Sequence, residues 1–296
     1  MSRAEKYTAH LPSFCINHRN YSLKSSFESG ASIDMDRHAA NAVIPLDAET
    51  ATKEPVRAVA ATNTLIDAGL SELREATQGL DALGVIETAI HGAFVGSVAV
   101  LSSFGVESAV LLHLVSQIDM NTPVLFVDTG RMFPETLAYR DRLQGYLGLT
   151  DVRTTGPASN CSIRPGTGMS RPQYYMDGCC FSRKVLPLAR ALGSFAAVIT
   201  GRKRFQTRIR ATMEVVEVFD GRFRFNPLAP WTPDDLDSYM NRHGLPRHPL
   251  VEIGYSSIGC CEPCTHAVGQ RSHSRMGRWS GRDKEECGIH TIRGTA

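Results

Sequence analysis

The spacing of apolar positions changes along the chain, and each change marks an element. From about Thr62 to Gly92 the residues Leu65, Leu70, Leu73, Leu80, Leu83, Ile86 and Ile90 recur at helical spacing. Gly69, Gly79 and Gly84 interrupt this stretch, so it is expected to divide into short helices. Short, unbroken apolar runs then alternate with helical segments. Ser97–Leu101, Pro123–Val127, Asp151–Thr155 and Phe195–Thr200 read as strands. Between them lie a helix with Leu111, Leu114, Val115 and Ile118 on one face, a helix from Glu135 to Leu147 behind Pro134, and a helix from about Ser182 to Leu192. Val215–Phe219 and Arg222–Phe225 flank Asp220-Gly221, a two-residue hairpin signal. Thr232-Pro233-Asp234-Asp235 caps a further helix running to about His243.

Strand and helix in alternation predict an α/β fold, Rossmann-like, with a mostly parallel sheet between helices. Ligands in such folds bind at the carboxyl ends of the strands. The loops after Leu101, Val127 and Thr200 are therefore expected to converge on a site. Residues 1–60 are polar, with scattered charges, and are expected to form a poorly ordered leader. Residues 61–264 form the folded domain. Residues 265–296 lose apolar periodicity, are rich in Gly, Ser and Arg, and read as a mobile arm.

Composition narrows the classes. A chain of 296 residues with 42% hydrophobic positions is long enough for a full core. Lys+Arg 32 against Asp+Glu 30 argues against a dedicated nucleic-acid binder. The sequence holds no uninterrupted apolar run long enough to cross a membrane, and residues 1–30 lack the apolar core of a secretory signal. Cytoplasm is the expected address. In a reducing compartment the 8 cysteines read as metal-binding or catalytic rather than as a disulfide scaffold.

The chemistry gathers in a few segments. Ser-Ser-Phe-Gly-Val-Glu-Ser at 102–108 joins a strand to a helix and aims hydroxyls and free N–H groups at an anion, although a plain strand-to-helix turn has the same outline. The run Gly201-Arg202-Lys203-Arg204-Phe205-Gln206-Thr207-Arg208-Ile209-Arg210 follows a central strand, where a phosphate or sulfate clamp is favoured over a solvated basic loop. Cys179-Cys180 and Cys261-Glu262-Pro263-Cys264 supply four thiolates, enough for zinc or an iron–sulfur cluster. Adjacent cysteines are unusual for structural zinc, which favours iron and sulfide. Cys287, in Glu285-Glu286-Cys287-Gly288-Ile289-His290, is a lone thiol whose acidic neighbours oppose its ionisation in a free arm. A cationic cavity would reverse that effect.

From Val98 to His290 the chain resembles the assimilatory adenylyl-sulfate reductases, within the sulfonucleotide reductases that also include phosphoadenylyl-sulfate reductase. Besides the stretch at 102–108, the matching stretches are Asp-Thr-Gly-Arg-Met-Phe-Pro-Glu-Thr at 128–136, Cys-Cys-x-x-Arg-Lys-Val-x-Pro-Leu at 179–188, Asn-Pro-Leu-Ala-Pro-Trp at 226–231, Tyr-Ser-Ser-Ile-Gly-Cys at 255–260, Glu-Pro-Cys-Thr at 262–265, Gly-Arg-Trp at 277–279 and Glu-Cys-Gly-Ile-His at 286–290. Two features depart from the family pattern. Cys260 is an extra thiol before Cys261, and the basic loop is looser than the usual Arg-x-x-Gln-Ser form.

The resemblance implies the fold of the adenine-nucleotide α-hydrolase-like superfamily with a flexible C-terminal arm. It also implies reduction of adenylyl sulfate (APS) to sulfite and AMP, in sulfate assimilation and cysteine biosynthesis, by thioredoxin or a glutaredoxin-like protein through an S-sulfocysteine. Cys287 would be the nucleophile, with His290 to orient thiolate or substrate. Arg275 and Arg278 would bind the phosphosulfate, Lys184 would link it to the cluster, and Arg202, Arg204 and Arg208 would add positive charge. Ser102, Gly105 and Glu107 would lie by the phosphate, and Asp128, Thr129, Gly130 and Arg131 by the adenosine. Cys179, Cys180, Cys261 and Cys264 would hold a 4Fe–4S cluster, with Cys260 able to substitute for Cys261. The family commonly assembles as dimers or tetramers, so a homo-oligomer is expected. The competing readings are a reductase of phosphoadenylyl sulfate (PAPS), an ATP pyrophosphatase, and a non-enzymatic iron–sulfur or zinc sensor; the last two do not need Cys287.

Overall fold

The computed structural model of the chain describes residues 54–158, 178–261, 263–269, 275–279 and 284–289, with side chains from Ile66 onward. It divides into two compact units, 1–67 and 68–296. Of the leader, residues 1–53 lie outside the described residues, whereas Glu54 already opens a helix, α1, which runs Glu54–Thr77. All side-chain contacts below belong to the second unit.

α1 passes through Gly69 without a break, contrary to the glycine-based expectation. A Cβ at Gly69 would stand 3.3 Å from the Phe223 ring, so this glycine serves close packing. Gly79, at φ +74°, does end the segment. α2 (Ala82–Glu87) then starts at Asp81, whose Oδ1 accepts from the Gly84 N–H at 2.8 Å, and it too continues through its glycine.

Four strands of four residues follow with their helices: β1 (Val98–Leu101), α3 (Ser108–Ile118), β2 (Val124–Val127), α4 (Pro134–Leu147), β3 (Val152–Thr155), α5 (Leu186–Ala191) and β4 (Ala197–Thr200). The hairpin β5 (Val216–Phe219) and β6 (Arg222–Phe225) turns at Asp220 and Gly221, both at positive φ, as a two-residue turn requires. Thr232 caps α6 (Pro233–Arg242) by accepting from the Asp235 N–H at 3.2 Å.

The sheet order is β3-β2-β1-β4-β6-β5, parallel except for β5. β1 and β4 pair from Val98 with Ala197 to Leu101 with Thr200. The chain moves outward from β1 to β3, then returns to the other side of β1. Order therefore reverses between β1 and β4, and a crevice opens there at the carboxyl ends. β4 is buried along its whole length, which explains its unbroken apolar run. Helices cover both faces, with Val85, Ile86, Val110, Leu112 and Val115 in the core against Val100 and Ile199. No helix among the described residues is long and apolar enough to cross a membrane.

Candidate active site

At the end of β1 the chain takes a strained turn. Phe104 has φ 47°, a region costly for a residue with a Cβ. Burial holds it there: its ring meets Phe126 edge-on at 5.5 Å and is inaccessible to solvent. Ser102 Oγ accepts from the Phe104 N–H at 3.2 Å, and Ser108 Oγ accepts from the Gly105 N–H at 2.8 Å. With its apolar ring in the core, the turn presents Ser102, Ser103, Gly105, Glu107 and Ser108 to a cavity at the switch point.

The loop after β4 forms the facing wall. It folds as two 3₁₀ turns, Arg204–Gln206 and Arg208–Arg210. Their periodicity turns Lys203, Gln206 and Arg210 inward, side chains that the sequence reading did not single out. Lys203 Nζ lies 2.5 Å from Glu107 Oε2, and Gln206 Nε2 donates to the same carboxylate at 2.7 Å. Burial pulls the Lys203 pKa down despite Glu107. Of the three expected arginines, Arg202 lines the cavity but is engaged by Glu217 and by Asn226 Oδ1 at 3.1 Å. Arg204 lies outside the cavity wall and donates to the Met213 carbonyl at 2.9 Å. Arg208 also points away, its side chain 88% exposed.

The loop at 128–131 braces the cysteines and does not line the cavity. Asp128 Oδ1 accepts from the Gly130 N–H at 2.8 Å, and Arg183 donates to the Thr129 carbonyl at 2.9 Å. Thr129 Oγ1 is 3.2 Å from Cys260 Sγ, Met132 bridges to Cys260, and the Arg131 carbonyl accepts from the Cys261 N–H at 2.8 Å. Its two flanking residues, Val127 and Met132, do reach the cavity wall.

Cys180, Cys260, Cys264 and Cys287 share one buried cluster with Trp279. Cys260, not Cys261, is the inward member of the adjacent pair; Cys261 is half-buried and outside the cluster. Because of the extra residue, a four-residue step joins the two inward thiols of this segment. A hydrogen bond from Cys264 holds Cys260 on the thiolate side, and the same bond keeps Cys264 protonated. Burial raises Cys179 and Cys180, and the charge of Cys260 adds to both. Among the described residues no three His, Cys, Asp or Glu side chains are arranged around a single ion. The donor set still fits a polynuclear iron–sulfur group, whose cysteines each bind a different iron and need no common centre.

The arm returns over this cluster. Thr265 pairs with Arg278, and the Trp279 N–H donates to the Cys264 carbonyl at 3.2 Å. The Trp279 side chain, 1% exposed, forms a platform for Arg278 at 4.5 Å and Arg275 at 5.4 Å. Arg275 and Trp279 both take positive φ, 79° and 50°. Arg275, Arg278, Glu286, Cys287 and Ile289 thereby join the wall. Lys184 stands beside them. Burial alone would lower its pKa, but the Cys287 and Cys260 sulfurs outweigh that and raise it. His290 lies outside the described residues.

The wall thus gathers Lys184, Arg202, Lys203, Arg210, Arg275 and Arg278 against two carboxylates, Glu107 and Glu286. Three residues of this wall carry a buried polar atom without a hydrogen-bond partner: Arg275 Nε, Arg278 Nε and Ser256 Oγ. Unsatisfied donors of this kind are costly unless a ligand completes them, and these suit an anion. Glu286 is the other residue missed in the sequence. As a neighbour of Cys287 it was expected to repel the thiolate, yet its carboxylate is taken up by Arg210 in a bidentate pair at 2.6 and 2.8 Å.

Comparison with known proteins bears on this geometry. The phosphoadenosine phosphosulfate reductase domain family matches residues 97–267. A protein of Mesorhizobium japonicum named adenosine 5'-phosphosulfate reductase is 46% identical over 219 residues, which is 72% of this chain and 86% of that one. One of the same name from Chelativorans sp. is 47% identical over 195 residues, 66% of this chain and 79% of that one. Among solved structures, phosphoadenylyl-sulfate (PAPS) reductase from Candida auris, a phosphate complex, aligns with a TM-score of 0.53 at 26% identity. That alignment covers 64% of this chain and 93% of that one.

Proposed function

The chain belongs to the phosphoadenosine phosphosulfate reductase domain family, and on that premise we propose that it is an oxidoreductase converting adenosine 5'-phosphosulfate (APS) to sulfite and AMP. The observation that carries the reading is the meeting of a single thiol, Cys287, with Lys184, Arg275 and Arg278 at the switch point, where two buried guanidinium nitrogens lack partners. A thiolate attacking a sulfonate brings anion to anion, so preorganised cations are the main requirement of the step. Cys287 Sγ bonds to the sulfonate sulfur, the sulfur–oxygen bond to phosphate breaks, and AMP leaves with the electron pair. Arg275 and Arg278 suit the phosphosulfate, and Lys184 suits the growing charge beside the thiol.

In the second step a thiolate of thioredoxin or a glutaredoxin-like protein attacks Cys287 Sγ, and sulfite leaves with the bonding pair. The reductant's second thiol resolves the mixed disulfide, so its dithiol supplies both electrons and Cys287 returns as a thiol. Cys179, Cys180 and Cys264, with Cys260 favoured over Cys261 by burial, would hold a 4Fe–4S cluster, which would supply fixed charge to the site and tie together the loops that carry these cysteines. The cytoplasm, where thiols stay reduced, is the matching compartment.

Among the described residues of the wall, Arg202 is matched by Glu217, Lys203 by Glu107 and Arg210 by Glu286, leaving Lys184, Arg278 and Arg275, the last shared with Glu286, for a phosphosulfate. That favours the nucleotide without a further phosphate. The Candida auris relative supports the phosphorylated nucleotide as a second reading. The test is substrate trapping: anaerobic protein is incubated with each nucleotide without reductant, and the Cys287 peptide is examined for one added sulfonate. Label from APS alone is expected. Label from PAPS alone would change the substrate and keep the chemistry; no label from either would overturn the reading.

A further inference from the structure

One buried charge pair in the cavity belongs to neither the phosphosulfate nor the thiol cluster. Arg210 Nε and Nη2 donate to Glu286 Oε1 and Oε2 at 2.6 and 2.8 Å, with side chains only 7% and 5% exposed. The Arg275 guanidinium stands 3.7 Å from the same carboxylate and donates to the Glu285 carbonyl at 2.7 Å. Arg210 also donates to Gln206, which donates to Glu107, which pairs with Lys203. The chain of contacts therefore runs along the cavity wall from the arm through the loop after β4 to the loop after β1.

A buried ion pair adds little net stability, because both charges are taken from water, but it is demanding of geometry. The bidentate form fixes the carboxylate in the plane of the guanidinium. Glu286 and Cys287 share a peptide bond, so fixing one holds the next Cα within ~3.8 Å of a known point. The side-chain contacts of neighbouring Glu285 are weaker, an Ile209 N–H at 3.3 Å and the exposed Arg208 at 3.8 Å. A non-covalent pair can also be released, as a sulfur that reacts in a closed cavity and then meets a protein requires.

Resting on the reading of Cys287 as nucleophile, we propose that Glu286 is its positioning residue: through Arg210 it pins the arm so that the thiol faces the substrate sulfur. Glu286 itself touches no reacting atom. Its work lies in the first step, and the second step proceeds with the pair open.

The test separates the two steps. Glu286→Gln keeps the side chain's shape and loses its charge, and Glu286→Asp keeps the charge on a shorter reach. Without reductant and at saturating APS, formation of sulfonated Cys287 is expected to slow by about 10- to 100-fold in the first variant, and by less in the second. The half-saturating nucleotide concentration is expected to stay within about threefold, because the carboxylate does not bind the nucleotide. Release of sulfite from the pre-sulfonated variant by thioredoxin should be no slower than in the wild type. Glu286→Gln combined with Arg210→Met should lose no more than the worse single variant, the signature of one shared contact. Labelling of both Glu286 variants at the wild-type rate would overturn the proposal, as would a loss expressed wholly in half-saturation or fully additive losses. Wild-type protein that takes no label would instead overturn the functional reading beneath it.

Discussion

His248 offers a test of how the site is held together. It is fully buried between α4 and the segment that leads to Cys260. Its Nδ1 accepts from the Leu250 N–H at 3.2 Å, so the ring proton sits on Nε2, which donates to Thr136 Oγ1 at 3.1 Å. Its ring lies 4.8 Å from that of Tyr139. Protonation would require a donor where Nδ1 now accepts, in a place closed to solvent, and burial pushes the pKa down to about 4. A histidine held neutral contributes stability that is present above its unfolded pKa of about 6.5 and is lost as pH falls towards 4. With about 1.4 kcal/mol per pKa unit, the whole loss is roughly 3 kcal/mol, and about 2 kcal/mol of it falls between pH 7 and pH 5. The perturbation is His248→Gln, which removes the titration, whatever its own cost in stability. Denaturant midpoints of both proteins at pH 7 and pH 5 provide the measurement. The wild type should lose about 2 kcal/mol more than the variant across that interval. Parallel losses would refute the reasoning, because they would show that the ring does not stay neutral in the folded state.

Two further outcomes follow from the site. Cys261→Ser should retain its iron and its visible absorption while Cys260→Ser loses both, read by metal analysis and spectrum; the reverse pattern would return Cys261 to the ligand set. Gly259→Ala places a Cβ on the Arg278 guanidinium, and displacing that cation should raise the half-saturating nucleotide concentration by roughly 10-fold, the scale of one charge-assisted hydrogen bond. Unchanged saturation would mean that Arg278 does not contact the substrate.

Most of the sheet was legible because its signals are local. Val98–Leu101 and Ala197–Thr200 are apolar runs covered on both faces, and Asp220-Gly221 and Thr232-Pro233 carry their turn and cap chemistry within a few residues. The misreading at Gly69 has a physical cause: glycine's low helix propensity was outweighed by the space it leaves for Phe223. Type and spacing marked out Cys180 and Cys264, which the fold brings into one buried cluster, but not the inward choice between Cys260 and Cys261. That choice depends on Thr129 and Met132, distant in sequence.

The basic loop shows where reading by residue type runs out. Five cations within nine residues give no clue to which face inward, and the answer comes from two tight turns held by short-range contacts, the second by Thr207 Oγ1 accepting from the Arg210 N–H at 3.3 Å. Once those turns form, the inward cations acquire carboxylate partners from two separate places, Glu107 after β1 and Glu286 in the arm. In an extended arm Glu286 would oppose the thiolate of Cys287. In the folded site its charge is taken up by Arg210, and Arg275 Nε and Arg278 Nε are among the buried nitrogens without a hydrogen-bond partner. In the seated arm the same carboxylate is therefore a partner for Arg210 rather than an isolated negative charge next to Cys287.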